Sequence, residues 1–190
     1  MARPIRTTRA DVIEAALELV REASGEALNA RALASMLGSS TQPIFRNFRS
    51  MNEVLDAVKQ QAMAIYHAYW DAEIKAAVHP PYKASGMGYI RFAIAEPQLF
   101  RLLFMCQRNE QEALKPSADF EAAVSMLEKQ YGLSHTDAES FHLSMWAYVH
   151  GIAVMYATGF LSLPEALVSE MVTKCFTGLK AQYLAKEATK

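Results

Sequence analysis

LNARALASMLGSSTQPIFRNF, residues 28–48, places small, turn-forming and branched side chains at the offsets of a helix-turn-helix. Ala34 stands where two helices cross closely, Gly38 four residues on supplies a turn that needs positive φ, and Ile44 six residues later points back into a small core. Asn29 caps a first helix over residues 30–37, with Leu33 and Leu37 on one face. Ser39 and Ser40 offer hydroxyls to the open amides of a second helix, and Pro43 falls in its first turn, where a missing N–H costs little. Ile44 and Phe48 anchor that helix inward. Thr41, Gln42 and Arg46 then face solvent or a groove, with Phe45 and Asn47 at the flanks. Gln suits an adenine edge, Arg a guanine edge or a phosphate, and Thr a base or a thymine methyl. An ordinary surface helix pair uses the same small residues, but the caps and the acid-free, basic run from Ser39 to Asn52 favour double-stranded DNA as the partner.

The chain has 190 residues, of which 52% are hydrophobic, enough to bury a real core in one domain or in a small and a larger one. Its net charge of −1 excludes a nonspecific nucleic-acid coat, so DNA binding must come from local charge. Arg3, Arg6, Arg9, Arg21, Arg31 and Arg46 bracket a first helix that carries Asp11, Glu14, Glu18, Glu22 and Glu26. Cys106 and Cys175 lie in apolar patterns and read as reduced, buried thiols. The N-terminus has no apolar signal-peptide core, and no apolar run nears the ~20 residues that span a bilayer. A cytoplasmic protein without a membrane partner is expected.

Capping boxes are expected at Thr8, Ser50, Thr136 and Ser162, each followed three residues on by Asp11, Glu53, Glu139 or Glu165. Ile13, Ala16, Leu17 and Val20 define a first helix closed by Gly25. A long helix after Ser50 carries Leu55, Val58, Ala62, Ile65 and Tyr69 inward and stops before His79-Pro80-Pro81. Further helices are expected over residues 82–95, from Pro97, over 117–131 with Gly132 behind, over 137–160 and over 164–185. The fold class is all-α, with about nine helices: a DNA-binding helix-turn-helix domain at 1–50 and a larger helical domain at 51–190. The final helix has two apolar lines. Leu167, Met171 and Cys175 form one; Val168, Val172, Phe176, Leu179 and Tyr183 form the other. One line packs on its own domain and the other on a partner subunit, which makes a homodimer the expected state.

With the order helix, helix-turn-helix, long helix and apolar helical C-terminal part in place, the chain resembles the TetR family of transcriptional regulators. AALELV, the turn at Gly38, IFRNF and NEVL are similar to the family's DNA-binding head. YIRFAIAEPQLFRLLF at 89–104 and WAYVHG at 146–151 are similar to a C-terminal domain named for its Trp-His-Gly pattern. The resemblance implies that Thr41 and Gln42 face bases while Phe45, Asn47 and the amides near Ser40 sit at phosphates. It also shows two departures: Phe45 stands where the family commonly has Tyr, and Met51 where it commonly has Lys at the start of the fourth helix. Arg46, Arg49 and the helix end at Ser50 are the candidates to compensate. The candidate DNA-binding set is therefore Arg6, Asn29, Arg31, Ser39, Ser40, Thr41, Gln42, Pro43, Phe45, Arg46, Asn47 and Arg49.

The resemblance further implies that residues 51–190 are a ligand-binding and dimerisation domain, with repression controlled by a small-molecule effector. Tyr66, Tyr69, Trp70, Tyr89, Phe92, Phe100, Phe104, Met105, Met126 and Met145 are the candidate lining, which suits an apolar or aromatic ligand. The candidate dimer interface is Tyr148, Ile152, Met155, Val168, Val172, Phe176, Leu179 and Tyr183 on the last two helices. His135, Asp137, Glu139, His142 and His150 invite a metal reading, but His142 and His150 are two turns apart, roughly 12 Å of rise, too far to share one ion. Hydrogen-bonded histidines are expected instead, with no metal and no cofactor. GxSxG, GxGxxG, GxxxxGK and HExxH are all missing, which argues against an enzyme. The remaining rival is a helical dimeric adaptor or ligand-binding protein whose head does not bind DNA.

Overall fold

Thr8 opens the first helix with a reciprocal cap. Its hydroxyl accepts from the Asp11 N–H at 3.2 Å, and the Asp11 carboxylate accepts from the Thr8 N–H at 2.7 Å. The computed structural model describes residues 7–107 and 117–187, the last four by backbone alone. Nine α-helices and no strand occur among them: α1 Arg9–Ala23, α2 Ala30–Met36, α3 Gln42–Asn47, α4 Met51–Ala76, α5 Pro81–Ala95, α6 Pro97–Phe104, α7 Ala118–Tyr131, α8 His135–Ala157 and α9 Glu165–Glu187.

Two boundaries differ from expectation. The first helix ends at Ala23, two residues before Gly25, and the positive φ falls on Ser24, at 107°. Gly25 instead opens a single 3-10 turn, Gly25–Ala27, where a Cβ would lie 2.9 Å from Leu102 Cδ1. Its missing side chain thus serves close approach to α6. The eighth helix is capped by Ser134 in place of Thr136: the Ser134 hydroxyl accepts from the Asp137 N–H and donates to the Asp137 carboxylate at 2.7 Å. Gly38 (φ 58°) and Gly132 (φ 68°) occupy the left-handed positions their places in the sequence require. Cys106 is exposed, contrary to the burial expected of it, because α6 ends at Phe104; Cys175 is half-buried.

The chain forms two compact units, residues 1–67 with 96–106 and residues 68–95 with 107–190. The division falls inside α4 and gives α6 to the first unit, so these units do not coincide with the segments 1–50 and 51–190. The reason is that the first half of α4 buries Val54, Ala57, Val58 and Ala62 in the first unit's core. In that unit α1 packs on α2, α3 and α6. Val12, Ala16, Val20, Leu33, Ile44 and Phe48 are all buried, as are Leu99 and Phe100 of α6. Arg21 grips Glu96 with two hydrogen bonds, Nε to Oε2 at 2.9 Å and Nη2 to Oε1 at 2.6 Å, tying α1 to the start of α6.

In the second unit α5 packs on α8, and α8 packs on α7 and α9. The end of α4 crosses α5 at Gly88, where a Cβ would stand 2.9 Å from Trp70 Cα and 3.1 Å from the Tyr69 carbonyl oxygen. Only hydrogen fits between those backbones. Arg91 on α5 binds the buried Glu73 of α4 and also Glu165 at the start of α9, so one guanidinium joins three helices. Replacing Gly88 by Ala forces α4 and α5 apart and should cost about 1–3 kcal/mol in urea unfolding. Gly86→Ala is the control, because a Cβ there meets Val149 at an ordinary 3.6 Å.

Candidate nucleic-acid interface

α2 and α3 have only seven and six residues, too short to persist alone in water, so their caps and buried contacts decide whether they form. Asn29 caps α2 through its side-chain oxygen, which accepts from the Arg31 and Ala32 N–H groups at 3.1 and 3.0 Å, and its amide nitrogen donates to the Ala27 carbonyl. Leu33, Ala34, Ile44 and Phe48 are buried. At the start of α3 the cap position belongs to Thr41, which makes no side-chain capping bond. Ser40 Oγ reaches the Gln42 N–H only at 3.4 Å, and Ser39 Oγ donates to the Ser40 carbonyl. The expected serine caps are therefore weak; Pro43 has no N–H to satisfy, and the Ile44 and Phe45 N–H groups donate to the Thr41 carbonyl at 3.1 and 3.3 Å.

Arg31, Ser39, Ser40, Gln42, Phe45, Arg46 and Arg49 are exposed, while Thr41 and Pro43 are half-buried. Arg6 lies outside the described residues. Asn47 departs from the expected phosphate role: its amide nitrogen donates to the Thr7 carbonyl at 3.2 Å and the Pro43 carbonyl at 2.9 Å, which commits both of its N–H bonds inside the protein. Glu53, the first acid after this run, accepts from the Arg49 N–H at 2.7 Å and from Arg9 Nη1 at 3.0 Å. Those bonds hold its carboxyl below the usual range, so it stays charged but neutralised by its neighbours. Arg9 was absent from the candidate set, since its Arg-at-a-helix-start position has no motif; its partners are 38 and 44 residues away.

The candidate ligand residues are divided between the two units. Tyr66 and Phe104 meet edge-on at 5.3 Å, and Phe100 packs on Phe104 at 5.3 Å, in the first unit. Met105 is exposed just beyond α6, which removes it as a lining residue. In the second unit Tyr69 packs on Phe92 at 5.9 Å, Tyr89 and Met145 are buried, and Trp70 and Met126 are half-buried. The histidines of α8 are hydrogen-bonded to α5: Tyr82 Oη to His142 Nδ1 and Tyr89 Oη to His150 Nδ1, both at 2.9 Å. His135 instead lies against Glu128 at 2.9 Å. Among the described residues no three His, Cys, Asp or Glu side chains are grouped to hold a metal ion.

Residues 82–175 match the family model described as tetracyclin repressor-like, C-terminal domain. This part of the chain is a TetR-type C-terminal domain. No curated protein matches its sequence significantly. Among solved structures, the fold is similar to a TetR-like transcriptional regulator from Rhodococcus sp. RHA1, at 16% identity over all of both chains with a TM-score of 0.65. It is also similar to a putative TetR family regulator from Vibrio parahaemolyticus, at 18% identity over 90% of this chain and 97% of that one, with a TM-score of 0.60. A TetR variant from Acinetobacter baumannii AYE, in complex with minocycline, matches at 19% identity over 96% and 98% of the chains, with a TM-score of 0.56.

Within this TetR-like C-terminal domain the second apolar line of α9, expected at a partner subunit, lies against the chain itself. Val168 and Val172 are buried in the chain itself, as is Ile152 of α8. Phe176 packs on Tyr82, Tyr131 and Phe141, and Tyr183 packs on Phe141. These side chains fill the core because α9 turns that line onto α5 and α8. Tyr148, Met155 and Leu179 are half-buried. Exposed apolar side chains here include Ile94 on α5, Met105 just beyond α6, Leu143 (56%) and Trp146 (41%) on α8, Phe160 (82%) and Leu161 (42%) after it, and Leu167 (41%) on the first line of α9.

Burial presses the His142 imidazole down to about 4. The unfolded chain binds that proton near the ordinary 6.5, so the folded state holds fewer protons between the two values and loses stability as pH falls from 6.5 to 4. The loss should reach roughly 3 kcal/mol at the lower end, measured as the urea midpoint against pH. His142→Gln, which keeps a partner for Tyr82 but does not titrate, should flatten that slope.

Proposed function

We propose that this protein is a sequence-specific transcriptional repressor of the TetR family, released from a pseudo-palindromic operator by a small apolar or aromatic ligand. The observation that carries the reading is the outer face of α3: Gln42, Phe45 and Arg46 are exposed beside Arg31 and Arg49, with no acid from Ser39 to Asn52. Such a face offers hydrogen bonds to base edges and positive charge to phosphates on either side. Residues 1–50 act as the reading head, and residues 51–190 sense the ligand and dimerise. Arg46 and Arg49 replace the phosphate contacts that Phe45 and Met51 do not make.

Two heads are required to read a palindrome, so the protein acts as a homodimer. The side chains available for the interface are Leu143, Trp146 and Leu167 with Tyr148, Met155 and Leu179 at their edges. The aromatic and methionine side chains of the TetR-like C-terminal domain supply the effector's surroundings, and a related fold is known with minocycline bound. Ligand releases DNA only by binding the incompetent head spacing more tightly than the competent one.

Selection of bound sites from random duplex DNA should return an inverted repeat. On that site Gln42→Ala should weaken binding by about 1–3 kcal/mol and blur one base position, whereas Arg49→Ala should weaken all duplexes alike and flatten the salt dependence by roughly one unit. Failure of the selection to enrich any site would overturn the reading. The paired substitution Leu143→Arg with Leu167→Arg should yield folded monomers on a sizing column, while Val172→Ala should instead cost about 1–3 kcal/mol of stability and leave the dimer intact.

A further inference from the structure

The geometry points to Arg9 as a positioning residue that fixes the C-terminal end of α3 for base reading, an inference that rests on the DNA-binding role proposed above. A six-residue helix frays unless both ends are held. At its start α3 has only the long Ser40 contact as a side-chain cap. At its end the Arg9 guanidinium meets three structures at once. Nη1 donates to the carbonyl of Asn47, the last residue of α3, at 2.8 Å, and to Glu53 Oε1 in the first turn of α4 at 3.0 Å. Its Cζ lies 3.9 Å from the centroid of the Phe48 ring, the residue that terminates α3. Glu53 completes the junction through its other oxygen, which accepts from the Arg49 N–H at 2.7 Å. Asn47 ties the same turn to the Thr7 carbonyl, just ahead of α1.

The first turn of α1, the last turn of α3 and the first turn of α4 thus converge on one guanidinium. The charge alone does not explain the arrangement, since Arg9 and Glu53 are both partly in solvent, where an ion pair contributes little. What Arg9 supplies is shape: one terminal nitrogen donates to both acceptors while the planar guanidinium lies over the Phe48 ring, a combination that the compact, strongly hydrated ammonium of lysine does not match. The group that caps the reading helix is engaged by the protein's own acceptors, and so is distinct in role from Arg46 and Arg49.

The test uses the full chain, an operator obtained by selection and a scrambled duplex of equal length, with wild type, Arg9→Lys and Arg9→Ala compared across a salt series. Arg9→Lys keeps the charge and should keep the scrambled-duplex affinity and the salt slope, yet bind the operator about ten-fold less tightly, the scale of one lost charge-assisted hydrogen bond. Arg9→Ala should lose at least as much on the operator. Amide exchange at Phe45 and Arg46 should speed up in both variants. The proposal is overturned if Lys restores full operator affinity. It is equally overturned if operator and scrambled affinities fall together with a salt slope lower by about one, which would make Arg9 a phosphate contact. Loss of the folded head in Arg9→Lys, seen as a collapsed denaturation midpoint, would assign Arg9 to general stability and sink the positioning role. An empty selection would instead reject the DNA-binding role itself.

Discussion

A helix of six residues has almost no stability of its own, and α3 carries the face on which the proposed function depends. Much of the first unit can be understood as the scaffold that this constraint demands. Ile44 and Phe48 bury one side of α3 against α1, Gly38 turns the chain so that α2 can brace it, and Arg9 and Asn47 close its last turn. The unit then strengthens α1 from the other end, where Arg21 holds Glu96 and the bare Gly25 admits Leu102 of α6. A rigid frame around a short reading element suits base recognition, which tolerates little misplacement of donors and acceptors.

The second unit is built on a different device. α5 lacks any long polar face: Tyr82, Met87, Tyr89, Ile90 and Phe92 are all buried, and two of these bring hydroxyls inside. Each hydroxyl must find a partner, because an unpaired buried donor is costly. His142 and His150, two turns apart on α8, provide those partners and set the register of α5 on α8. The same spacing that forbids a shared metal ion therefore suits two parallel hydrogen bonds. Arg91 extends the frame by joining Glu73 and Glu165, and Gly88 lets α4 and α5 approach to backbone contact.

The exposed apolar side chains include Leu143 and Trp146 near the middle of α8, Phe160 and Leu161 after it and Leu167 in the first turn of α9, besides Met36, Phe45, Val78, Ile94 and Met105 elsewhere among the described residues. Phe160, at 82%, is the most exposed of these side chains. Burial of Val168 and Val172 identifies the line of α9 that supports the chain's own fold.

The sequence by itself determined the all-α class and the helix-turn-helix, because these rest on local signals: Asn29 as a cap, Gly38 at positive φ, Pro43 and Pro97 at helix starts, and the capping box at Thr8. The TetR type of the C-terminal domain was legible in the same way, from short motifs. What only the tertiary structure decided were matters of orientation and partnership. Periodicity showed that α9 has two apolar lines but not which one faces inward, since both satisfy the same helical spacing. Composition could not show that Asn47 spends its amide on Thr7 and Pro43, nor that Arg9 reaches Asn47 and Glu53, because those contacts join residues up to 44 apart. Ser24 taking the strained turn in place of Gly25 has the same origin: Leu102, far along the chain, claims the space beside the glycine.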